Sequence, residues 1–195
     1  MTDERAGLPR MTITDPQVMR ALAHPARLAI LDHLGSTDEP VTATGCAEVV
    51  GLSPSATSYH LRALAKAGMV EQAPSRGDAR ERLWRSAAQT WSINAGQDAA
   101  PETRAAEAAL IEVFVARHLA RVRDWLDRSG EVSKEWYDAA MMSDSTLLIT
   151  AEELTELNTA VLALLEPYKR RRRSAGSAVE GARPVAAHYV MLPLD

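Results

Sequence analysis

The chain has 195 residues, a formal net charge of −4, 46% hydrophobic and 5% aromatic residues, and a single cysteine. That length buries a core in one large domain or two modest ones, whereas one cysteine excludes an internal disulfide and a thiolate metal cage. No apolar run approaches the roughly 18 residues of a membrane span, and the start, Met1-Thr2-Asp3-Glu4-Arg5, lacks the basic-then-apolar order of a secretion signal, so a cytoplasmic protein without membrane contact is the expectation. Residues 1–91 hold ten basic and ten acidic side chains and residues 92–195 twelve and sixteen, so the second half supplies the whole −4 (12 − 16). Between 53 and 86, Arg62, Lys66, Arg76, Arg80, Arg82 and Arg85 stand against Glu71, Asp78 and Glu81. A local positive excess of this kind suits phosphates, although most such clusters are solvated surface.

In chain order, residues 1–13 show no sustained period and read as a loose tail. Asp15-Pro16 starts a helix, with a side-chain acceptor before a proline whose missing N–H costs nothing there. Val18, Met19 and Leu22 share its face, and His24-Pro25 breaks it. The helix resumes with Leu28, Leu31 and Leu34 and ends at Gly35; a polar loop runs to Pro40. A short helix over 43–50 stops at Gly51, and Ser53-Pro54 opens a longer one that ends at Gly68, with Thr57, Leu61 and Leu64 facing inward. Two helices joined by the tight turn 51–53 make a helix-turn-helix. The period then changes: 69–73 and 81–85 read as short strands around the turn-rich stretch 74–78. A basic hairpin directly after a helix-turn-helix is a wing.

From Pro101 a long helix is expected, with Ala108, Ile111, Val115, Leu119, Val122 and Leu126 on one stripe and Leu110 and Phe114 widening it. An apolar stripe of about seven turns suits a subunit interface; packing against the C-terminal region is the plainer alternative. Residues 132–142 read as helix and 145–149 as strand. Thr150-Ala-Glu-Glu153 forms a capping box opening a helix with Leu154, Leu157, Val161, Leu164 and Tyr168 on one side. That helix ends in the basic run Lys169–Arg173, which suits the negative end of its dipole and reads as a solvated end before supplementary DNA contact. Residues 174–182 read as a small-residue linker and 184–192 as a last strand. The fold class expected is α+β, mainly helical: a winged helix-turn-helix domain over 12–92, then a long dimerisation helix and a small α/β C-terminal unit over 93–195.

Three stretches carry a family resemblance. Residues 21–31 resemble the first core helix of ArsR-type winged-helix repressors, residues 51–70 resemble that family's recognition helix and its exit, and residues 76–85 are similar to the wing of an actinobacterial branch. Trp136 followed by 148–154 is similar, more loosely, to that branch's C-terminal extension. The resemblance implies a homodimeric repressor binding a near-palindromic double-stranded DNA operator. On this reading the second helix of the motif lies in the major groove. Ser55, Ser58, Tyr59 and Arg62 occupy its exposed face, with Lys66 beyond them, and Arg62 meets either a guanine or a phosphate. His60 is partly packed by resemblance and a base contact is its lesser role. Arg76, Arg80, Arg82 and Arg85 meet backbone phosphate or the minor groove, and Ile111, Val115, Leu119, Val122 and Leu126 form the dimer interface.

Metal sensing, known in the family, is not expected. Cys46 stands alone and reads as a small buried residue, while Glu112 and His118, six apart, lie on opposite helix faces. His24 reads as a structural hydrogen-bonding residue, and His33 and His188 lack a partner at ligand spacing. No nucleophile elbow, phosphate loop or Glu-x-x-His pair appears, so neither an enzyme nor a cofactor is expected. Met141 and Met142 with Trp136 and Tyr137 suggest a pocket for a small-molecule effector of unidentified chemistry, although ordinary core is the plainer account. The rival readings are a winged-helix protein-interaction module and a small-molecule-binding protein without DNA function.

Overall fold

The computed structural model describes residues 10–37, 39–74, 82–88, 90–168 and 179–194. Two compact units result, the first ending at Val115 and the second beginning at Ala116. The first unit opens with strand β1 (Arg10–Ile13) and helices α1 (Pro16–Leu22) and α2 (Pro25–Gly35). Asp15 caps α1 by accepting the Gln17 N–H at 2.7 Å. His24 caps α2, its Nδ1 accepting the Ala26 N–H at 3.2 Å, so this histidine has the structural role its position before Pro25 suggested. Strand β2 (Val41–Thr42) leads into α3 (Ala43–Val50), and α4 (Pro54–Lys66) follows after a three-residue turn.

That turn is built by one glycine and one serine. Gly51 sits at φ 69°, left-handed backbone that a side chain resists, and its N–H and that of Leu52 both reach the Ala47 carbonyl. Ser53 then accepts the Ala56 N–H at 3.2 Å, taking one of the amides left free at the start of α4. Thr57, Leu61 and Leu64 of α4 are buried, and the two leucines share one cluster with Leu28, Leu31 and Leu34 of α2 and with Met19 and Leu22 of α1. Spacings of three and four residues put those side chains on one helical face.

The wing is an antiparallel sheet in the order β2-β4-β3, formed by β3 (Val70–Ala73), β4 (Leu83–Ser86) and the short β2. Gln72 lies opposite Trp84 and Glu71 opposite Arg85, while Val41 pairs with Trp84 on the other edge. The first wing strand thus begins one residue later than the sequence reading, and the second runs from 83 to 86. Two further strands pair in parallel, β1 with β5 (Thr90–Ile93), in the register Ile13 with Ile93. The stretch read as a loose tail therefore ends in a strand: Ile13 is buried, and Met11 and Trp91 pack against the core.

Helix α5 (Pro101–Arg128) starts within the first unit. Ala106 and Leu110 are buried, Trp91 and Phe114 rings lie 5.2 Å apart, and Glu107 accepts the Ala95 N–H at 2.7 Å. These contacts carry the first unit past the division at 92/93 read from the sequence.

The second unit holds the rest of α5, α6 (Lys134–Ala139) and α7 (Ala151–Leu165). The helix expected over 132–142 is shorter than read, because 129–131 form a 3-10 turn and the chain leaves helical geometry after Ala139. Thr150 and Glu153 form the expected capping box, each accepting the other's backbone N–H. The strands expected at 145–149 and 184–192 do not form; both stretches run without helix or strand, and Leu148 is fully exposed. An apolar run becomes a strand only with a neighbouring strand to take its hydrogen bonds, and none among the described residues pairs with these. No described helix is long and apolar enough to cross a membrane.

Candidate nucleic-acid interface

The face of α4 opposite its buried stripe carries polar and cationic side chains. Ser55, Tyr59, Arg62 and Lys66 are exposed, and Ser58 is half-buried. This follows from the same helical arithmetic: a residue between two buried positions of a 3.6-residue turn points outward. His60 lies apart from this face. Its ring is half-buried, 4.7 Å from His24 and 5.4 Å from Tyr59, with Nδ1 enclosed and unpartnered. Burial first, then the neighbouring His24 and Arg27, lowers its pKa and so favours the neutral imidazole. Its surroundings are those of a packing residue.

The wing's arginines separate into two situations. Arg85 points to Glu71 across the β3–β4 ladder, its Nε donating at 2.7 Å and a second guanidinium nitrogen lying at 2.6 Å. This exposed pair contributes under about 1 kcal/mol, yet it neutralises Arg85. Arg82 is exposed and has no such partner among the described residues. Arg76 and Arg80 fall outside the described residues, as does the basic run 169–173.

A cleft of about 330 Å³ lies where recognition helix, wing and α3 converge. The first turn of α3 from Thr42 to Thr44 forms one wall, Ser58 and Arg62 a second, and Arg82 with Trp84 the third. Among the described residues no carboxylate lines it. Sequence reasoning missed the α3 wall, because a two-residue strand such as Val41-Thr42 has no period to read. The one available signal was Thr42 as a helix-capping residue, whose hydroxyl accepts the Gly45 N–H at 3.0 Å.

Elsewhere the candidate residues are dispersed. On α5, Ile111, Val115, Leu119 and Leu126 are exposed, 46–61%, and Val122 is half-buried. Met141 and Met142 are exposed, at 88% and 74%. Trp136 lies under the Arg183 guanidinium at 5.2 Å, and Tyr137 stacks on Trp125. Cys46 is buried, and desolvation pushes its thiol up to about 11, far from the thiolate that redox or metal chemistry needs. Among the described residues no group of three His, Cys, Asp or Glu side chains is placed to hold a metal ion.

Residues 22–73 match the family model described as a helix-turn-helix domain. With the wing, the first unit has the winged helix-turn-helix fold. Among solved structures, the chain is similar to the homodimeric winged helix-turn-helix DNA-binding domain of a Mycobacterium bovis protein described as a possible ArsR-family transcriptional regulator. The identity is 28%, over 54% of this chain and 81% of that one, with a TM-score of 0.32. It is also similar to a Lactococcus lactis ZitR variant in apo form, at 17% identity over 75% and 83% of the two chains, TM-score 0.33. A third similar structure is PcaV, a Streptomyces coelicolor transcriptional regulator in complex with its natural ligand, at 15% identity over 73% and 74%, TM-score 0.31. No curated protein matches the chain.

Proposed function

We propose that this protein is a homodimeric, sequence-specific DNA-binding repressor that acts by occupying a near-palindromic operator, without metal sensing and without catalysis. The observation that carries this reading is the outward face of α4: Ser55, Tyr59, Arg62 and Lys66 stand exposed beside a wing that adds Arg82. Short polar side chains at the helix's N-terminal half suit base edges, and the cations suit phosphates. A docking module for proteins has no need of such a charge pattern. Self-association is supported by the uncovered apolar stripe of α5, since a helix of 28 residues with four large exposed hydrophobics in register suits a second copy of itself. Two-fold pairing sets two recognition helices against half-sites about one or more turns of roughly 34 Å apart.

The test is selection of bound duplex from a random pool, followed by gel-shift titration over several salt concentrations and sedimentation of the free protein. The expected results are an inverted-repeat consensus, affinity falling steeply and linearly on a log–log salt plot, and a dimer in solution. Retention on random duplex that is weak and insensitive to salt would end the DNA reading.

A further inference from the structure

We infer that the cleft between α3, α4 and the base of the wing seats one backbone phosphate of the duplex, and that Arg62 is a ligand of that phosphate and not a reader of a base. The inference rests on the DNA-binding reading and assigns what the sequence leaves open between guanine and phosphate.

Three features decide it. First, Arg62 stands in the third turn of α4 (Pro54–Lys66), whereas base contacts come from the N-terminal end of a recognition helix, where Ser55 sits. Second, its side chain lines the same cleft as Arg82, which belongs to another element of the fold. Arg82, just before β4, and Trp84 within it line the cleft, whereas Arg85 is satisfied by Glu71. Neither Arg62 nor Arg82 has an ion pair or hydrogen bond among the described residues. Arg62 and Arg82 are like charges sharing one cleft, and among the described residues no carboxylate lines it, so an anion between them relieves their repulsion. Third, the remaining wall supplies neutral donors. Thr44 and Ser58, whose side chains carry hydroxyls, line it, and so do the first residues of α3. Thr42 already takes the Gly45 N–H, leaving the amides before it without an intrahelical acceptor. Trp84 is buried and paired with both β2 and β3, which makes its wall stiff. Cations from two elements together with hydroxyl and amide donors suit the several oxygens of one phosphate better than the planar edge of a base.

The experiment compares the full-length protein with Arg62→Ala, Arg62→Lys and Arg82→Ala on the selected operator and on random duplex. Each alanine variant should lose about tenfold in affinity on both duplexes alike and lower the log–log salt slope by about one, while Arg62→Lys keeps the wild-type slope. Replacing operator phosphates one at a time by neutral methylphosphonates should reveal one position per half-site that weakens the wild type but neither alanine variant. Unchanged thermal melting of both alanine variants confirms that the fold is intact. If Arg62→Ala keeps the wild-type salt slope and random-duplex affinity but loses preference at a single base pair, Arg62 reads that base and the inference falls with the DNA reading intact. If wild-type protein shows no salt-dependent binding at all, both fall.

Discussion

The two units solve the burial problem in opposite ways. In the first, α1, α2, α4 and the wing enclose Met19, Leu28, Ile30, Leu61 and Met69 almost completely. In the second, neither α6 nor α7 buries a single residue, and Leu126, Leu148 and Leu164 stand in solvent. The contrast lies in periodicity and not in hydrophobic content. Helices of the first unit meet others on the same face, so each leucine finds neighbours from two or three elements. The second unit has one capped amphipathic helix and two extended apolar stretches with no sheet to join. A polypeptide that leaves so much apolar surface uncovered gains from a partner, and the exposed stripe of α5 provides a symmetric place for one.

The largest effect should come from breaking the first unit. Leu61→Ala removes a fully buried side chain between α4 and α2 and should lower stability by about 2–5 kcal/mol, read as a drop in the urea midpoint at every protein concentration. Charging the stripe should act differently. Leu119→Glu puts a carboxylate on a surface that the proposed dimer buries, so sedimentation should report a monomer, and the dependence of the melting temperature on protein concentration should vanish. The first unit's own transition should persist. A Leu119→Glu protein that stays dimeric would move the interface off α5.

How much of this was legible in the sequence tracks how local the cause is. Asp15-Pro16, His24-Pro25, Ser53-Pro54 and Thr150-Glu153 each fix a helix start within four residues, and Gly51 fixes the turn by its own backbone. The winged helix-turn-helix was readable for that reason, as was the outward face of α4. The parallel pairing of Met11 with Trp91 joins segments 80 residues apart and leaves no local signature. Val41-Thr42 becomes a strand only because Trp84 and Leu83 offer it an edge. Residues 145–149 and 184–192 show the converse: apolar runs of strand-like composition without an edge to pair with. The cleft was illegible for a related reason, since Thr44, Arg62 and Arg82 come from three elements brought together only by the fold.

A smaller effect follows from His60, and its sign is fixed. Its folded-state pKa lies below the ordinary histidine value, through burial and the neighbouring His24 and Arg27. The unfolded chain therefore binds more protons than the folded one as pH falls past about 6.5, so stability is full above that value and declines below it. Urea midpoints should drop between pH 7.5 and 5.5, and His60→Gln should flatten the drop. An equal drop in that variant would shift the cause to other groups.

The smallest effect tests whether the first unit's core is tuned for stability throughout. Thr57 is completely buried on the inner face of α4, yet its hydroxyl has no hydrogen-bond partner. An enclosed hydroxyl without a partner costs its desolvation, on the order of 1–3 kcal/mol, and returns nothing. Valine has nearly the same shape and no such cost, and its branched side chain fits the one rotamer a helix allows. Thr57→Val should therefore leave stability unchanged or raise it by up to about 1 kcal/mol, whereas Thr57→Ala should lower it by opening a small cavity. A clear loss in the valine variant would mean that the hydroxyl is satisfied in solution by an ordered water beneath the recognition helix.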